Sequence, residues 1–94
     1  MSTPSDGTAP VFEDVVREHG AMLGRLAASY ELDRSRREEL RQEILLALWR
    51  ALPAYRGDAS LRTFVARVAH NRAATHVARE AARPRGAELD PELP

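Results

Sequence analysis

The sequence predicts an all-α fold, a compact three-helix domain. Apolar residues recur at helical spacing in three separate segments, no strand pattern competes with them, and every proline falls at or outside a segment end. The first segment, about Pro10 to Tyr30, opens on a proline whose missing N–H costs a helix nothing in its first turn. Val11, Val15, Met22 and Leu26 are its expected stripe. The second, about Arg34 to Leu52, has Asp33 as N-cap, and Pro53 ends it. The third starts near Ser60, capped by Ser60 or Asp58, and continues to about Arg83. Its apolar face is Leu61, Phe64, Val65, Val68 and Ala69.

Residues 1–9 are rich in Ser, Thr, Pro and Gly and are expected to be disordered. The domain is expected over 10–83, with 84–94, "PRGAELDPELP", as a linker or tail. The 94 residues include no cysteine, so disulfides and thiolate metal sites are excluded. No apolar run approaches the roughly 18–20 residues that span a bilayer. The opening "MSTPSDGTAP" has neither the basic nor the apolar part of a secretory signal, so a soluble cytoplasmic protein with no membrane partner is expected.

Formal net charge is zero, but it is unevenly distributed. Residues 59–85 hold six Arg against one Glu, a block of +5, while residues 86–94 hold three acids and no base. All fourteen basic residues are Arg, which reads as codon bias.

Placed on a wheel at about 100° per residue, the second helix turns Leu40, Ile44, Leu48 and Leu52 inward, flanked by Ala47 and Ala51. Trp49 and Leu46 fall on the far side, among Glu39, Gln42 and Glu43. Either another segment covers them, or they form an apolar anchor with a polar rim for a protein partner. On the third helix the far side carries Arg62, Thr63, Arg67 and His70, interleaved with Ala66 and Ala74, and Asn71 on the shoulder. This is either a solvated polar face or a surface offering donors to phosphates and base edges.

Catalysis finds no support. His70 and His76 fall on different faces and cannot share a metal, and Glu39 and Glu43 read as a solvated i,i+4 pair. Asp6, Ser5 and His19 form no triad, and "RGDAS" holds a single glycine, too few for a phosphate loop. Neither enzyme activity, cofactor nor metal is expected, and "RGD" within this turn is no adhesion signal.

The run "EELRQEILLALWRALPAYRGDASLRTFVARVAHNRAATH" combines an acid-Leu-x-Gln-Glu opening, Leu-Trp-Arg, an aromatic-Arg-Gly-acid turn, Ser-Leu-x-Thr-aromatic and Ala-x-Asn. In order and spacing it resembles region 2 of the extracytoplasmic-function (ECF) sigma factors of bacterial RNA polymerase, over about residues 11–80. The resemblance implies that Glu39, Gln42, Glu43, Leu45, Leu46 and Trp49 grip the coiled-coil clamp helices of the polymerase β′ subunit. It implies a pocket for a base flipped from the non-template strand of the promoter −10 element at Tyr55, Arg56, Gly57, Asp58, Ala59 and Ser60. Arg62, Thr63, Phe64, Arg67, His70 and Asn71 would contact the −10 DNA and support its opening, though the register of Phe64 favours core packing. Departures occur at Phe64, where the family often has Trp, and at Thr75, Ala78 and Glu80. The family's second domain, which reads the −35 element, has no counterpart here, so an excised domain or a one-domain relative is expected. The alternative is a helical protein-interaction module on the same scaffold, binding an anti-sigma factor or regulator without promoter recognition.

Overall fold

A computed structural model describes residues 9–83. The tails expected at 1–9 and 84–94 lie outside these residues, apart from Ala9. The architecture is all-α: α1 (Phe12–Tyr30), α2 (Arg34–Ala51), a 3-10 turn (Leu52–Ala54) and α3 (Leu61–Ala82), with each helix packed on the other two.

Helix α1 starts later than the position of Pro10 predicts. Val11 is its N-cap, and the Val11 carbonyl accepts from the amides of Asp14 and Val15. No side chain caps it, but Glu13 and Asp14 in the first turn complement the positive end of the helix dipole. Val11 therefore lies outside the stripe and is exposed, while Leu23 and Ala27 join Val15 and Leu26 in the core; Met22 packs at its edge. Asp33 caps α2 as expected, accepting from the Arg36 amide at 2.9 Å. The guanidinium of Arg37 reaches back to the carbonyls of Glu31 and Leu32, fixing the short turn between α1 and α2.

Pro53 cannot donate to an α-helical ladder, and there the chain tightens into the 3-10 turn. Leu52 is thus in the turn rather than in α2, yet still buried at 2% exposure. Ser60, not Asp58, caps α3, with its Oγ accepting from the Thr63 amide at 3.1 Å.

The core joins the α1 residues to Leu40, Ile44, Leu48 and Leu52, and to Val65, Ala69 and Ala73 of α3. Fully burying each large aliphatic side chain contributes about 1.5–3 kcal/mol, and the small alanines on α3 allow its backbone a close approach. Leu61, Phe64 and Val68 pack against this cluster from the edge. Among the described residues no helix is long and apolar enough to cross a membrane.

Candidate protein and nucleic-acid interfaces

Inward commitment of Leu40, Ile44 and Leu48 fixes the rotation of α2, and that rotation places Leu46 and Trp49 outside. They are 48% and 58% exposed, so nothing among the described residues covers them. Glu39 and Gln42 are exposed on the same helix. These four residues form an indole and a leucine beside a carboxylate and an amide, the composition of an anchored interface.

Two residues assigned to this face behave differently. Leu45 is half-buried and packs on the core. Glu43 is half-buried and engaged by α3: its Oε1 lies 3.3 Å from Arg72 Nε, and its Oε2 lies 3.7 Å from His76 Nδ1.

His76 is the buried polar group that the sequence did not reveal. It is 3% exposed, and its Nε2 lies 3.2 Å from Glu31 Oε1. One imidazole therefore ties the end of α1, the middle of α2 and the last third of α3. Carboxylate partners offset the cost of burying a polar ring, and no buried side-chain polar atom among the described residues lacks a partner. The signal for it was present: His76 continues the register of Ala69 and Ala73, so the α3 stripe extends two turns beyond the expected residues.

The loop between the 3-10 turn and α3 is built by its own side chains. Tyr55 donates its hydroxyl to the Ala59 carbonyl at 2.7 Å, and its ring meets Phe64 with centroids 5.0 Å apart at 54°. Gly57 has φ +87°, a left-handed conformation that favours glycine. Arg56, Gly57, Asp58 and Ser60 are exposed, and Ala59 is half-buried. Tyr55 and Phe64 face inward as supports for this loop, in keeping with the core-packing register of Phe64.

Along α3, Arg62, Thr63, Arg67, His70 and Asn71 are placed on the side away from the buried stripe or on its shoulder, and all five are exposed. Thr63 is drawn to the cap, its Oγ1 accepting from the Ser60 hydroxyl at 3.0 Å. His70 lies against Tyr30 of α1, while His76 faces Glu31, so the two imidazoles serve separate neighbours. Among the described residues no group of three or more His, Cys, Asp or Glu is arranged to hold a metal ion.

The structure thus brings together an anchored acidic face on α2, a bonded loop, and an Arg-, His- and Asn-bearing face on α3. Neither the comparison with curated proteins nor that with solved structures returns a match. The family model for sigma-70 region 2 matches residues 15–83, which takes in all three helices and both faces except the first turn of α1. The chain belongs to the sigma-70 region 2 family.

Proposed function

We propose that this chain is an ECF-type sigma region 2 domain, spanning residues 10–83, that docks on the β′ clamp coiled coil and opens the promoter −10 element. Membership of the family carries the general role: promoter recognition and RNA polymerase binding in transcription initiation, without enzymatic activity. The finer assignment is carried by one observation above others, the exposed indole of Trp49 beside Leu46, Glu39 and Gln42. Such a surface suits a helical protein partner with basic residues at its rim, because carboxylates repel phosphate.

The nucleic acid belongs on the other side. Arg62 and Arg67 supply charge for the DNA backbone, and His70 and Asn71 supply groups that can pair with phosphates or base edges. The Arg56–Ser60 loop, held by Tyr55 and opened by Gly57, takes the flipped non-template base. Extraction costs a few kcal/mol and is offset by stacking and hydrogen bonds to the freed edge. Glu43 and Leu45 act in this scheme from inside, holding α2 against α3 and the core.

A β′ clamp-helix fragment immobilised on resin tests the reading. The native chain should be retained, and Trp49→Ala should weaken retention about 30-fold or more, as loss of an aromatic anchor does. The same variant should keep its affinity for single-stranded −10 DNA, and the native chain should prefer that strand to duplex. Undiminished retention of Trp49→Ala would remove the α2 assignment. Clamp binding without any DNA affinity at low salt would leave a protein-interaction module.

A further inference from the structure

Tyr30 and His70 stand forty positions apart in the chain and meet where α1 packs on α3. The Tyr30 hydroxyl and His70 Nδ1 are 3.0 Å apart, and the rings meet edge-on with centroids at 5.7 Å and 64°. A phenol is a better donor than acceptor, and an unprotonated imidazole nitrogen is a good acceptor, so the pair is best matched when the hydroxyl donates and Nδ1 accepts. A neutral imidazole with a lone pair on Nδ1 carries its single proton on Nε2. His70 is exposed, on the same helix as Arg67 and Asn71.

We propose that Tyr30 is a positioning residue that fixes neutral His70 as an Nε2–H donor for DNA, toward a phosphate oxygen or a base-edge acceptor. The proposal rests on the reading of the α3 face as DNA-binding. Without the phenol hydroxyl, the neutral ring is free to place its proton on either nitrogen, and part of the population presents a lone pair to an acceptor.

The surroundings of His70 are simple enough for that contrast to be read. Tyr30 is its partner from α1, and Glu31, the next residue, is turned to His76. Arg67 lies one turn back on α3. Among the described residues α2 sends no group within hydrogen-bonding or ion-pair distance of His70.

The test titrates labelled single-stranded DNA of random sequence at low salt with the native chain, Tyr30→Phe and His70→Ala. It is run at neutral pH, beside the ring ¹⁵N spectrum of His70 in the free native and Tyr30→Phe chains. At neutral pH His70→Ala should bind about two- to tenfold more weakly than native, the loss of one hydrogen bond. Tyr30→Phe should lose less, about twofold, because part of its population still presents Nε2–H. The native ring should show the Nε2–H tautomer, and the variant a mixture. Native-like binding of Tyr30→Phe or an Nδ1–H ring in the native chain would each overturn the proposal. Native-like binding of His70→Ala would overturn the DNA role of His70 and the proposal with it, while the ring spectrum would still report separately whether Tyr30 sets the tautomer.

Discussion

The Tyr55 hydroxyl donates to the Ala59 carbonyl at 2.7 Å, so one side-chain bond spans and closes the loop that leads into α3. Beneath it, the Tyr55 ring rests on Phe64. The aromatic pair anchors the loop to the core, and the hydroxyl sets its shape. Tyr55→Phe keeps the ring and removes only the bond. It should cost about 0.5–1.5 kcal/mol, read as a melting temperature lower by several degrees. Trypsin cleavage after Arg56 should accelerate by more than that global loss accounts for.

Gly57 permits a direct measure of backbone strain. A Cβ there would meet nothing within 4 Å, so substitution raises no clash and changes only the cost of φ +87°. Gly57→Ala should destabilise by about 1–2 kcal/mol, and Gly57→Asn by less, because Asn tolerates the left-handed region better. Urea midpoints of the two variants check the order; equal values would mean that the loop adopts another backbone.

His76 carries the polar seam between the helices. His76→Ala leaves Glu31 and Glu43 without the ring that joins them and opens a cavity at a site only 3% exposed. The expected loss is about 2–4 kcal/mol, combining a small cavity with unpaired polar groups. His76→Gln, which keeps hydrogen-bonding atoms near the same place, should lose less. Chemical denaturation separates the two, and a neutral His76→Ala would show that the carboxylates find other partners.

The arginines of α3 should act through charge. Arg62→Ala and Arg67→Ala should each weaken binding of single-stranded DNA and lower the slope of log K against log salt by about 0.7 for each phosphate no longer neutralised. Arg72→Ala should leave that slope unchanged, because Arg72 is half-buried and paired with Glu43. A slope that falls with Arg72 and not with Arg67 would place the phosphates on the opposite side of the helix.

What could be read without coordinates was whatever depends on local period and local chemistry. The rotation of α2 follows from the spacing of Leu40, Ile44, Leu48 and Leu52, and the exposure of Trp49 and Leu46 follows from that rotation. Asp33 was legible as a cap, and Ser60 as one of two candidates beside Asp58, because a cap bridges only three residues. Glu43 was not legible as an internal partner, because the wheel groups it with the far side and its fate depends on Arg72 and His76 of another helix. The Tyr30–His70 pair was hidden for the same reason, since pairings across forty positions are set by how helices meet. The start of α1 was misjudged because a proline before a helix fits both the last residue outside it and the first inside.

His76 is also where α3 stops being held. None of the residues from Val77 to Ala82 is buried, so the final six residues extend about 9 Å beyond the last interior anchor. Amide exchange should therefore fall into two regimes along one continuous helix, slow up to the imidazole and fast after it. Mechanically, α3 works as a beam clamped along most of its length with a free end. A load applied to that end reaches the core first through a histidine and two carboxylates, before any apolar neighbour bears it.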